Sequence, residues 1–154
     1  MNQKYYQLRQ PSKAKIVGVK DGGSQAEFIK DGFKNKELFD EILAFSTSSR
    51  LLKFPKFELN LEYVKMRNNA KLTDFISFYP HIVSGTFLVS EKVVKILSTF
   101  NLPKHKYYPA SIDFKGEIIN TYKLLYIPFI ELLDVINVSK STFLLVGLKK
   151  TLSF

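Results

Sequence analysis

The stretch that decides the fold is His105-Lys106-Tyr107-Tyr108-Pro109-Ala110-Ser111-Ile112-Asp113-Phe114-Lys115-Gly116-Glu117-Ile118-Ile119-Asn120-Thr121-Tyr122-Lys123-Leu124-Leu125-Tyr126-Ile127. It reads as two strands, 105–114 and 117–127, joined by Lys115-Gly116. A two-residue loop ending in glycine is a strong hairpin signal, because its tight turn needs backbone that glycine adopts at no steric cost. Tyr108, Ala110, Ile112 and Phe114 share one face of the first strand. On the second strand, Ile119, Thr121, Lys123, Leu125 and Ile127 share one face, and Ile118, Asn120, Tyr122, Leu124 and Tyr126 share the other. Both faces are substantially apolar, which predicts a place in the middle of the sheet. Pro128 ends the run.

Just upstream, Ser90-Glu91-Lys92-Val93-Val94-Lys95-Ile96-Leu97-Ser98-Thr99-Phe100-Asn101 predicts a helix. Ser90 is its N-cap and Glu91 lies at the positive end of its dipole. Val93, Val94, Ile96, Leu97 and Phe100 form its apolar stripe, and Asn101 with Pro103 stops it. A second helix is predicted over 35–45, capped by Asn35, with Leu38, Phe39, Ile42 and Leu43 on one face. Residues 57–66 alternate as a half-buried strand, with Phe57, Leu59, Leu61 and Tyr63 inward and Glu58, Asn60 and Glu62 outward. Short strands are also expected at 5–8, 14–20, 72–79 and 142–148, with a mixed segment at 131–136. The fold class that follows is α+β: a mixed or antiparallel sheet of about five to seven strands with two main helices packed on one side.

The 154 residues form a single expected domain, 1–154, with no linker or repeat. Hydrophobic residues at 45% and aromatics at 14% exclude intrinsic disorder. The absence of cysteine excludes disulfide scaffolds, zinc–thiolate sites and thiol nucleophiles. No N-terminal apolar segment reads as a secretory signal and no long apolar run reads as a membrane span, so a cytoplasmic protein without a membrane partner is expected.

The formal net charge is +9, which raises nucleic-acid binding. The cations, however, are 20 Lys against 3 Arg, and Arg is the residue of bidentate phosphate and base readout. They are also spread along both halves of the chain without a block of like charges. A solvated basic surface, or one complementary to an acidic protein, fits better.

Catalytic patterns fail one by one. Asp21-Gly22-Gly23-Ser24 contains no phosphate-cradling glycine motif and reads as a turn. Ser46-Thr47-Ser48-Ser49 lacks the elbow and base of a serine nucleophile. Glu58 and Glu62 are roughly 13 Å apart at strand rise, beyond a glycosidase carboxylate pair. Glu37, Asp40 and Glu41 read as a solvated helix face. His81 and His105 have no metal-ligand spacing and no carboxylate orienter. No enzyme, catalytic residue, metal, cofactor or small-molecule substrate is expected.

The order of pieces carries a resemblance. Asp74-Phe75-Ile76 leads through Gly85-Thr86-Phe87-Leu88-Val89 into the Ser90-Glu91-Lys92 helix. Lys106-Tyr107-Tyr108-Pro109-Ala110 and Asn120-Thr121-Tyr122-Lys123-Leu124-Leu125-Tyr126 follow. With the opening Lys4-Tyr5-Tyr6-Gln7-Leu8, this resembles the immunity proteins of bacterial polymorphic toxin systems. The resemblance implies a non-catalytic protein that binds a cognate toxin domain and blocks it. Two departures are noted. Similar proteins often continue beyond the equivalent of Phe154, and many inhibitors of nuclease toxins are acidic. A basic inhibitor implies an acidic or neutral face on its toxin.

Candidate partner-binding residues are Lys104, His105, Lys106 and Tyr107, with Tyr79 and His81. Tyrosine is enriched and lysine depleted at interface cores, which makes Tyr107 the expected anchor. The plainer alternative is a strand with Tyr108 in the core and its lysines in water. The other function class is a small basic nucleic-acid-binding or regulatory domain.

Overall fold

The computed structural model describes residues 11–20, 23–47, 53–80 and 86–128. In chain order the elements are α1 (Ala14–Val17), β1 (Ala26–Phe28), a 3-10 turn (Lys30–Gly32), α2 (Lys36–Thr47), β2 (Leu61–Met66) and β3 (Phe75–Ile76). After them come β4 (Phe78–Tyr79), β5 (Thr86–Ser90), α3 (Glu91–Leu97), β6 (Lys106–Phe114) and β7 (Glu117–Tyr126). The class is α+β.

Among the described residues, seven strands form one mixed sheet in the order β3-β5-β7-β6-β2-β1-β4. The hairpin of β6 and β7 sits at its middle, as the two apolar faces of β7 require. Lys115 at φ 57° and Gly116 at φ 88° form its turn, with backbone in the left-handed region that such two-residue loops demand. β2 pairs parallel with β6, and β1 pairs parallel with β4; the other ladders are antiparallel.

β3 and β4 stand at opposite ends of this order, yet only Ser77 separates them in sequence. Phe75 and Ile76 pair with Val89 and Leu88 of β5, while Phe78 and Tyr79 pair with Ala26 and Glu27 of β1. The sheet therefore curls almost into a barrel, with one short kinked segment joining its two ends. Gln25 organises the join from a fully buried position. Its Nε2 donates to the Lys71 carbonyl at 2.8 Å and to Thr73 Oγ1 at 3.0 Å, and its Oε1 accepts from Ser77 N at 3.3 Å. A buried amide is tolerated here because these bonds satisfy it.

One side of the sheet holds the main core. Every strand contributes, among them Phe28, Leu61, Val64, Ile76, Phe78, Leu88, Ile112 and Leu124, and α2 adds Leu38, Phe39 and Ile42. Phe28 stacks on Phe39 at 4.5 Å, and Phe33 meets both edge-on at 4.9 and 5.2 Å, which is favoured aromatic geometry. α2 begins as its sequence predicts, with Asn35 Oδ1 accepting from Leu38 N at 3.0 Å.

α3 belongs to a second cluster, Val93 and Leu97 against Val89 and Leu125. Its Ser90 cap is in place, with Ser90 Oγ accepting from Val93 N at 3.4 Å. Leu124 lies in the first cluster and Leu125 in the second, and successive strand residues point to opposite faces. The expectation of two helices on one side is not borne out: α2 packs in the first cluster and α3 in the second. One-sided packing would leave Phe87, Val89 and Leu125 in water.

Other local readings also change. Residues 14–17 are a helical turn, not a strand, despite Ile16, Val17 and Val19. Gly18 closes the turn at φ 82°, where a Cβ would lie 2.1 Å from the Asn69 carbonyl oxygen. The Val17 carbonyl accepts from Lys71 N at 2.9 Å, so a tertiary contact overrides β propensity. β2 starts at Leu61 rather than Phe57, and its register with β6 shifts between Leu61 and Val64. In the α3 region, Ile96 and Phe100 are 50% and 47% exposed, so the buried stripe is narrower than the apolar pattern. The expected segments at 5–8, 131–136 and 142–148, together with His81, lie outside the described residues.

Candidate partner-binding surface

The five candidates that lie among the described residues do not form one group. β6 alternates, so the run Lys104-His105-Lys106-Tyr107 divides between two faces. Lys104 and Lys106 reach the ring of Phe54, with Nζ at 5.7 and 5.0 Å from its centroid. Both fall within cation–π range, where the ring's negative face attracts the ammonium. His105 and Tyr107 turn the other way. Their rings meet edge-on at 5.3 Å, and Tyr107 packs against the α3 cluster. His105 Nδ1 lies 2.8 Å from the Pro103 carbonyl oxygen, and a carbonyl only accepts, so the proton is on Nδ1. Tyr79 is 58% exposed on β4, opposite Glu27, and belongs to neither group.

Phe54 is the residue that periodicity in the sequence does not find. It opens the pattern Phe54-Pro55-Lys56-Phe57, preceded by Lys53. That alternation of aromatic and basic residues is the signal that could have found it. Pro55 removes a backbone donor, which suits a segment outside the ladder. Tyr126 anchors the segment: its hydroxyl donates to the Lys53 carbonyl at 2.9 Å, and its ring lies 5.8 Å from Phe54. Burial, then the neighbouring Tyr108, pushes the Tyr126 phenol up to about 12, so it stays a neutral donor.

Beside Phe54 opens a cleft of 310 Å³ lined by Phe45, Phe57, Ala44, Lys53, Lys56 and Glu41. Phe45 and Phe57 meet edge-on at 5.9 Å and form its apolar floor. Lys53 and Lys56 therefore line one aromatic cleft with Glu41 as its carboxylate, and Lys104 and Lys106 stand over Phe54 on its wall.

Next to it lies a second cavity of 450 Å³, lined by Glu37, Glu41, Glu58, Glu62, Asn35, Asn60, Leu38 and Phe57. Glu58 and Glu62, read as co-facial on one strand, do line the same space. Glu62 holds the approach to α2, because its Oε2 accepts from Lys34 N at 2.9 Å and from Asn35 N at 3.0 Å. Among the described residues, no three His, Asp or Glu side chains are grouped to hold a metal ion, and no helix is long and apolar enough to cross a membrane.

No family model, curated protein or solved structure matches this chain.

Proposed function

We propose that this chain is a non-catalytic binding protein, and that it acts as an immunity protein. It would occlude a cognate bacterial toxin domain in the cytoplasm of the producing cell. The observation that supports a binding role most directly is the pair Lys104 and Lys106 seated on Phe54 beside the aromatic cleft. Aromatic anchors within a polar rim are the usual chemistry of protein–protein interfaces. The toxin as partner comes from the sequence resemblance alone. The lysine rim favours an acidic or neutral face on that partner.

A second reading uses the same cluster. Lysines around partly exposed aromatic rings also suit single-stranded nucleic acid, whose bases stack and whose phosphates attract cations. Salt separates the two, because phosphate contacts weaken steeply between about 50 and 200 mM.

The deciding experiment is a pull-down with the tagged 154-residue chain from lysate and culture medium at near-physiological salt. Capture of a toxin-domain protein, followed by rescue of its toxicity on co-expression, is the expected result. Recovery of nucleic acid, or captured toxin that stays toxic on co-expression, would overturn the reading.

A further inference from the structure

The two cavities adjoin along α2, and side by side they make a groove. They share Glu41 and Phe57 as a common wall. Glu37, Leu38, Glu41, Ala44 and Phe45 line it from α2, at positions i, i+1, i+4, i+7 and i+8, which is one side of a helix. The opposite wall is the segment of Phe54, Phe57, Glu58 and Asn60. From Glu37 to Phe45 the helix rises about 12 Å, the length of about four residues of extended peptide.

The groove is electrically polar. At the α2 N-terminal end stand Glu37 and Glu58, both exposed, with Glu62 already bound to backbone N–H groups. At the other end stand Lys53 and Lys56, with Lys104 and Lys106 over Phe54. Between them lie the rings of Phe45 and Phe57. A uniformly acidic ligand would be repelled at one end and a uniformly basic one at the other.

We infer that this groove docks a short segment of a protein partner with an apolar anchor, an acidic flank on one side and a basic flank on the other. The anchor fills the Phe45–Phe57 cleft, the acidic flank meets the lysines, and the basic flank meets Glu37, Glu41 and Glu58. The inference rests on the reading that the chain works by binding a protein. It adds which segment of the partner is recognised.

The test uses the full chain and three short peptides carrying a neutral fluorophore at the N-terminus, followed by fluorescence anisotropy at near-physiological salt. The mixed peptide is Asp-Glu-Phe-Leu-Phe-Lys-Lys. The controls carry acidic residues at both ends, or lysines at both ends. The mixed peptide is expected to bind at least about tenfold more tightly than either control. In the Glu37→Lys/Glu58→Lys variant the acidic control becomes the preferred ligand. These substitutions are on exposed side chains, so the variant is expected to fold.

Absence of binding by the mixed peptide, equal binding of all three, or a preference unmoved by the variant would overturn the inference. So would displacement of the mixed peptide by a thymidine oligonucleotide. The titration needs no toxin, so its outcome is independent of the pull-down. A captured toxin whose binding ignores the Glu37→Lys/Glu58→Lys change would sink the groove assignment while leaving the immunity reading intact.

Discussion

The hydroxyl of Tyr63 donates a 2.6 Å hydrogen bond to Oδ2 of Asp113, tying β2 to β6 where they run parallel. The other oxygen of the same carboxylate accepts from Gly116 N at 3.0 Å. One aspartate thus fixes both the strand pair and the hairpin turn. Tyr63→Phe removes one bond to a carboxylate and is expected to cost about 1.5–3 kcal/mol. Asp113→Ala removes both and is expected to cost more. Urea denaturation of both single variants and the double checks this, and the double should lose little beyond Asp113→Ala alone.

Alkaline pH should unfold the protein through its tyrosines. The hydrogen bond to Asp113 raises the Tyr63 pKa, and burial raises Tyr107, Tyr108, Tyr122 and Tyr126 from the ordinary 10.0. The folded chain then holds these protons more tightly than the unfolded chain. Their contribution is whole below pH 10.0 and is lost as pH climbs toward the value of about 12 reached by Tyr126. Denaturation midpoints measured across that window should fall continuously; a flat profile would contradict the burial of these phenols.

Gln25→Leu should be among the most damaging single changes. It removes an amide that donates to the Lys71 carbonyl and Thr73 and accepts from Ser77 N. The backbone groups left behind are short of partners, at an expected cost of about 2–4 kcal/mol. Amide exchange should accelerate at Ser77 first.

Tyr107 and Tyr108 carry buried hydroxyls with no hydrogen-bond partner among the described residues. A desolvated, unsatisfied hydroxyl is a liability of about 1 kcal/mol or more. Tyr108→Phe is therefore expected to raise the thermal midpoint. A drop would mean that the hydroxyl is satisfied in solution.

On the proposed surface, the Lys104→Ala/Lys106→Ala double variant should weaken partner binding about tenfold, equivalent to about 1.4 kcal/mol. Its stability should fall by no more than about 1–2 kcal/mol, because exposed cation–π pairs contribute only about 0.5–1 kcal/mol each. Lys95→Ala, an exposed lysine of α3 outside the cluster, serves as the control and should bind as the parent does. Calorimetric titration against the captured partner reads all three.

What could be read from the sequence was what local chemistry decides. Asn35 and Ser90 cap their helices because a side-chain oxygen within three residues meets an orphan N–H. Lys115-Gly116 makes its turn because the backbone there needs positive φ. The hidden parts depend on distance along the chain. Ser77 divides β3 from β4 only because Gln25, 52 residues earlier, bonds to it. Residues 14–17 coil because Gly18 must clear the Asn69 carbonyl. Likewise the run Lys104 to Tyr107 stood out as a candidate with Tyr107 as its anchor, but the ring beneath its two lysines comes from a loop that periodicity could not place. β1 does alternate, with Ala26 and Phe28 buried about Glu27, but three residues are too few for that pattern to stand out in the sequence.

The kink at Ser77 bears on how the molecule comes apart. An open sheet can peel from either margin, one strand at a time. Here a single short stretch, Phe75 to Tyr79, serves as both margins, so loosening it releases β1 and β5 together. Unzipping cannot start on one side alone, which favours all-or-none opening over gradual fraying.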